Sequence, residues 1–102
     1  MSPAAFFSQT YAEARDRFLT AARRRGLGVE THVHPETGRE GELLAMDIAR
    51  DGPPDADAVL VVSSACHGVE GFCGSGVQGA LLGDDPLHAA ASDGDVAILY
   101  IH

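Results

Sequence analysis

The chain has 102 residues, of which 45% are apolar, and carries a formal net charge of −8 at pH 7. This length predicts one domain with a modest core, and the apolar content excludes a disordered chain. An acidic surface repels phosphate, so we expect no nucleic-acid partner. No stretch approaches the roughly 18 apolar residues of a membrane span, and the N-terminus has no secretory signal. We therefore predict a cytoplasmic protein that does not bind membranes and whose Cys66 and Cys73 are thiols rather than a disulfide.

The first part of the chain predicts a helix followed by a hairpin. Ser8 or Thr10 caps a helix over residues 11–25, which has apolar residues at helical spacing and ends at Gly26 and Gly28. Residues 29–34 alternate as a strand does, residues 35–41 are typical of a turn, and residues 43–49 predict the second strand of an antiparallel pair.

The second part predicts a strand, a helix and a final strand. Residues 58–63 are apolar on both faces, which is typical of a central, covered strand. Residues 72–82 predict a helix that ends at residues 83–86, and residues 96–101 predict the last strand. The resulting order favours an α/β layered fold. Because His102 directly follows the last strand, we expect a loop to be missing there. We also expect that strand to expose an edge and apolar surface that promote self-association.

The most informative motif is the turn that follows residues 58–63. His67 and Glu70 are three residues apart and are framed by Gly68 and Gly71. In a tight turn or a first helical turn, such residues point the same way. Imidazole nitrogen and carboxylate oxygen are both zinc ligands, and a catalytic zinc usually has three protein ligands and a water. The spacing therefore predicts His67 and Glu70 as part of a hydrolytic zinc site.

Other interpretations of the same segment are weaker. Gly74, Gly76 and Gly79 match the dinucleotide fingerprint G-x-G-x-x-G, but they begin too far from the strand. A closer approach of the helix to the sheet explains these glycines better. Cys66 adjoins His67, which is poor geometry for a nucleophile and its base, so both cysteines are expected to be small buried residues.

The remaining histidines indicate less about function. His32 and His34 share a strand face, where a metal pair is a minority alternative to surface residues at a hairpin edge. His88 is expected in a solvated loop. His102 directly follows the last strand, and its role stays open.

Four segments carry a family resemblance, and together they extend over nearly all of the chain: residues 7–15, 34–38, 41–47 and, most specifically, 67–78. They resemble the N-terminal part of the DUF2817 family, which belongs with the M14-type zinc carboxypeptidases. The resemblance implies an α/β fold in which a mixed, mostly parallel M14 carboxypeptidase-like sheet is flanked by helices. Residues 1–102 would then be a single partial domain.

The resemblance also implies a function. It places two Zn²⁺ ligands at His67 and Glu70, in a hydrolase acting on a peptide or an amide-linked small molecule. The third ligand, a substrate-binding Arg and the Glu general base of the M14 pattern would follow these 102 residues. We therefore expect weak zinc binding, no catalytic residue within the chain and little activity of the chain alone. The alternative is a non-catalytic small domain, or a remnant of a broken gene, with at most a binding role.

Overall fold

The computed structural model describes residues 2–65 and 68–102. A short 3-10 helix, Pro3–Phe6, precedes helix α1, Tyr11–Arg24. The Thr10 hydroxyl accepts the Glu13 backbone N–H at 3.1 Å, which caps α1 as the sequence predicts. The apolar stripe of α1 is buried at Ala14, Phe18 and Ala22.

The rest of the chain alternates strands with helices. The elements are β1 (Val29–Thr37), β2 (Leu43–Asp51), β3 (Ala58–Ser63), α2 (Gly71–Leu82), α3 (Asp85–Asp93) and β4 (Val96–Ile101). The strands form a mixed sheet in the order β1-β2-β4-β3, in which β3 and β4 are parallel and the other two pairs are antiparallel. The predicted α/β fold, with a mixed sheet flanked by helices, is thus confirmed, but the expected predominance of parallel pairs is absent from the described sheet, where only β3 and β4 are parallel.

Several predicted boundaries were wrong. Strand β1 extends to Thr37, so the expected turn is shorter, and the predicted hairpin of β1 and β2 is otherwise present. Helix α3 was not predicted at all. It begins at Asp85 because the Asp84 carboxylate accepts the Leu87 backbone N–H at 3.0 Å, a cap that the sequence analysis took for a helix end.

The positions of β3 and β4 reverse the expectation from their sequences. Strand β4 lies between β2 and β3 and is largely buried, with Ala97, Ile98 and Tyr100 in the core. Within the described part of the chain, β3 pairs on one side only, and Val61 is 53% exposed. Apolar residues on both faces do not distinguish a covered strand from an edge strand. Among the described residues the edge strands are β1 and β3, so the exposed edge expected of the last strand is wrong.

His88 and Cys73 also differ from expectation. His88 is 6% exposed on α3, and its Nε2 lies 2.9 Å from the Tyr100 hydroxyl, so it is a core residue rather than a solvated one. Cys73 is exposed, because the buried face of α2 passes through Gly71 and Gln78 instead. No helix among the described residues combines the length and apolar composition that a membrane crossing requires.

On the side of β2 that faces β4, the backbone of Ala45 is hydrogen-bonded to α1 rather than to another strand. The Tyr11 hydroxyl donates to the Ala45 carbonyl and accepts the Ala45 N–H, both at 2.9 Å. The neighbouring ladder ends where Asp47 and His102 exchange two backbone hydrogen bonds, at 2.9 and 3.0 Å. Because β3 and β4 are parallel, their C-terminal ends lie side by side at one end of the sheet, near the start of α2.

Candidate functional site

Glu70 stands at the N-terminal end of α2, just beyond the edge of the sheet where β3 and β4 end. Its side chain is exposed, and Oε1 accepts the Gly68 backbone N–H at 3.0 Å. This bond, together with the backbone N–H of Glu70 itself, lowers the pKa of the carboxyl below its usual range. Glu70 is therefore ionised near neutral pH, which is the state that a carboxylate needs in order to bind a cation.

The second predicted ligand, His67, lies outside the described residues, as does Cys66. Among residues 2–65 and 68–102, no three His, Cys, Asp or Glu side chains are grouped closely enough to hold a metal ion. Of the two predicted ligands, the described part therefore contains only Glu70. The pairing of His67 with Glu70 stays a prediction.

The turn before Glu70 is held tightly against α2. Ala65 has a positive φ of 64°, a conformation that a residue other than glycine rarely adopts. Gly71 leaves space for Ala65 in this position, since a Cβ on Gly71 would lie 2.8 Å from the Cα and Cβ of Ala65. Gly74 is similarly close, because its Cβ would lie 2.6 Å from the Cβ of Ser64. Both glycines let the helix approach the end of β3 at a distance that a side chain would prevent.

The other two glycines of the rejected dinucleotide motif have a different neighbour. A Cβ on Gly76 would lie 2.5 Å from the Phe7 ring, and one on Gly79 would lie 4.0 Å from the Phe6 ring. These positions therefore face the N-terminal segment rather than the sheet. The predicted close approach of helix to sheet holds for Gly74 alone among the three.

An open cleft of about 750 Å³ lies beside this turn. Its walls come from α1, the β1–β2 hairpin, the ends of β3 and β4 and the start of α2, and most of its lining is apolar. Residues that line it include Tyr11, Val33, Pro35, Met46, Gly68 and Phe72. The position of the cleft allows a bound molecule to lie next to the Glu70 turn.

Three histidines line the cleft, but they do not form one group. His32 Nε2 lies 3.3 Å from the Glu30 carboxylate, and His34 Nδ1 accepts the Glu36 backbone N–H at 3.0 Å. The strand assignment confirms that His32 and His34 share β1. Each is nevertheless engaged by its own strand, which agrees with surface residues at a hairpin edge rather than with a metal pair.

His102, whose role the sequence left open, lies in the cleft beyond β4. Its ring stacks on Phe18 with centroids 4.5 Å apart, and its Nε2 lies 2.6 Å from the Ser75 hydroxyl on α2. Burial lowers the pKa of His102, although the Asp47 carboxylate opposes this. His102 is therefore neutral at neutral pH, and it links α1, β4 and α2 at the cleft floor.

The sequence analysis missed a buried ion pair behind the cleft. Asp47 is fully buried, and its carboxylate accepts Arg15 Nε at 2.7 Å, Arg15 Nη2 at 3.1 Å and the Thr31 hydroxyl at 2.6 Å. A carboxylate within the otherwise apolar residues 43–49 was the available signal, since a buried carboxylate requires a partner. The Asp47 side chain thereby connects β2 to α1 through Arg15 and to β1 through Thr31.

A likeness to solved structures defines the fold. The chain is similar to a glutaminyl cyclase from Macrostomum lignano (20% identity, TM-score 0.55), covering 92% of this chain and 31% of that one. It is similar to a Tannerella forsythia glutaminyl cyclase (18%, TM-score 0.52; 97% and 42%). It is also similar to a putative Zn-dependent exopeptidase from Bacteroides vulgatus (16%, TM-score 0.52; 96% and 42%). The chain therefore shares the α/β fold of these structures and spans less than half of their length.

Sequence comparison gives the family. The family described as "Protein of unknown function (DUF2817)" matches residues 7–102. The chain belongs to DUF2817, as its sequence motifs predict. No curated protein sequence matches it.

Proposed function

We propose that this chain carries two ligands, His67 and Glu70, of a zinc site in a hydrolase that cleaves amide bonds. The observation that supports the proposal is the state of Glu70. Its carboxylate is ionised, exposed and fixed at the start of α2, just beyond the ends of the parallel strands β3 and β4. In α/β proteins the carboxyl ends of parallel strands are where functional loops and ligands gather.

A bound zinc would polarise the amide carbonyl and lower the pKa of its water. The chain itself would orient the substrate, because the apolar cleft lies directly beside the turn. The apolar walls favour a peptide or an amide-linked small molecule with an apolar group near the bond that is cleaved. A metallocarboxypeptidase-like reaction is the form that the family resemblance implies.

The proposal includes a limit on the activity of these residues alone. Two protein ligands hold zinc more weakly than the usual three. The family resemblance places the third ligand and the general base after the stretch that this chain matches. We therefore expect the 102-residue chain to bind zinc weakly and to show little turnover.

A non-catalytic binding domain is the competing function. It is supported by the largely apolar cleft of about 750 Å³, which offers a binding surface whether or not zinc is present. In that case the cleft would bind its ligand without zinc.

Zinc affinity separates the two functions. The chain would be titrated with zinc in competition with a chromophoric chelator, together with the variants His67→Gln, Glu70→Gln and Glu40→Gln. Glu40→Gln is the matched control, because it removes the same charge from another exposed glutamate, in the loop before β2. The proposal predicts that His67→Gln and Glu70→Gln each weaken binding about 10- to 100-fold and that Glu40→Gln does not. Equal affinities in all four proteins would refute it.

Activity is measured in the same preparations against a panel of peptides with added zinc. Little turnover by the wild-type chain is expected. Robust turnover that Glu70→Gln abolishes would refute the expected inactivity but support the zinc site.

A further inference from the structure

Gln78 lies on the buried face of α2 and makes contacts that reach beyond the helix. It is 1% exposed, and its Nε2 donates to the Ser64 hydroxyl at 3.0 Å and to the Ile101 carbonyl at 2.8 Å. Ser64 directly follows β3, and Ile101 is the last residue of β4. One side chain therefore connects α2 to the C-terminal ends of both parallel strands.

The orientation of this amide is determined by its partners. The Ile101 carbonyl can only accept, so the nitrogen of Gln78 must face it. The Ile101 carbonyl also accepts the Ser64 backbone N–H at 3.2 Å, which closes a junction of three residues. The opposite atom, Gln78 Oε1, is buried and has no hydrogen-bond partner among the described residues.

An amide that satisfies only its donors is a poor choice for stability alone, because its buried acceptor loses water without a replacement. Unlike an apolar side chain, the amide makes hydrogen bonds, which have a preferred direction. It fixes the height and rotation of α2 relative to the two strand ends. The contact of Gly74 with Ser64 and the strained backbone of Ala65 depend on the same fit.

We propose that Gln78 is a positioning residue for the metal-binding turn. It holds Ser64, where the turn leaves β3, and α2, which carries Glu70 at its start, in one fixed geometry. The inference rests on the proposed zinc site, because its purpose is to keep the carboxylate of Glu70 in place for a metal ion. Gln78 would act through the backbone of the turn and would not touch metal or substrate.

The test compares Gln78→Met, which keeps the length of the side chain but removes its donors, with Ile98→Val. Ile98 is 1% exposed in β4, and Ile98→Val is a conservative core change. Gln78→Met and Ile98→Val are each measured at the same interval below their own unfolding temperature. Two quantities are measured in the full chain: zinc affinity by chelator competition, and hydrogen exchange of the Phe72 and Cys73 amides without zinc. In the native structure these amides donate to Val69 and Glu70 at 3.1 and 3.0 Å.

The proposal predicts that Gln78→Met weakens zinc binding about tenfold and exposes both amides to faster exchange. Ile98→Val, compared at the same interval below its unfolding temperature, should change neither the zinc affinity nor the exchange of the two amides. Ser64→Ala should reproduce part of both effects, and combining it with Gln78→Met should add little, because the two variants break the same junction.

The outcomes are distinguishable from those of the proposed function. If the wild-type chain binds no zinc, the zinc proposal fails, while amide exchange still decides whether Gln78 positions the turn. If Gln78→Met and Ile98→Val give equal exchange and equal zinc affinity, Gln78 is an ordinary core residue and the inference is wrong.

Discussion

The ion pair between Arg15 and Asp47 predicts an asymmetric effect of mutation. Asp47 has no exposed side-chain surface, whereas the Arg15 side chain is 23% exposed. Arg15→Met would leave a buried carboxylate with only the Thr31 hydroxyl. Asp47→Asn would leave a guanidinium that can reach water, and its amide oxygen could still accept from Thr31. We therefore expect the loss of the arginine to be the more damaging change.

The magnitudes follow from the burial of each partner. Breaking a buried pair so that a charge stays behind costs about 3–5 kcal/mol, and we assign this cost to Arg15→Met. Losing hydrogen bonds to a charged group costs about 2 kcal/mol, which we assign to Asp47→Asn. For a domain of this size each kcal/mol lowers the unfolding temperature by about 4–8 °C, so Arg15→Met should lower it by at least about 12 °C. Arg23→Met, at an exposed position on the same helix, is the control and should cost below about 1 kcal/mol.

The pH dependence of unfolding tests the same reasoning. Burial would raise the pKa of Asp47, but the bonds from Arg15 and Thr31 outweigh it and lower that pKa. A carboxyl with a lowered pKa stabilises the fold above its ordinary pKa of about 4, and this contribution is lost as the pH falls further. In Arg15→Met the pKa of Asp47 should instead rise, so the gap between wild type and variant should narrow toward about pH 3. Urea unfolding at pH 7 and pH 3 measures this. Asp47→Asn costing as much as Arg15→Met, with a gap independent of pH, would refute the role given to the ion pair.

Three further predictions concern single positions. Because burial lowers the pKa of His102, the wild type should lose stability as the pH falls below about 6.5, and His102→Gln should lose less stability. Parallel pH profiles of the two proteins in thermal unfolding would contradict this. Gly74→Ala should destabilise the fold by about 1–3 kcal/mol because its Cβ would meet Ser64 at 2.6 Å, whereas Gly28→Ala, with open space around it, should not. Equal losses of stability in urea unfolding would refute the close approach of α2 to Ser64. The edge of β3 should promote self-association, so Val61→Lys should shift sedimentation toward the monomer and Val77→Lys on α2 should not; unchanged association in Val61→Lys would exclude that edge.

Local patterns in the sequence predicted the fold well where one physical cause dominates. The bounds of β3 and β4 match their apolar runs, and α1 begins at the Thr10 cap that its sequence indicates. What local pattern could not provide was the order of the strands. The run in β3 is as apolar as that in β4, yet of these two strands only β4 is paired on both sides among the described residues.

The site was predictable as a motif but not as an environment. Glu70 was singled out by its spacing and its glycines, and its exposure at the start of α2 agrees with a ligand. The support behind it depends on residues far apart in sequence, such as Gln78 with Ile101 and Ser75 with His102. Spacing carries no information about such pairs, because their contact is created only when the sheet and helix meet.

The Tyr11 hydroxyl takes the place of a paired strand at one position of β2. Ala45 is two residues from Asp47 on β2, so its N–H and carbonyl point toward the side on which Asp47 pairs with His102. Tyr11 occupies both groups at 2.9 Å, so they are satisfied at this position without β4. The hydrogen bonds between β2 and the end of β4 thus give way, two residues along β2, to a side chain from α1. Tyr11→Phe would remove the partner of both Ala45 groups at once.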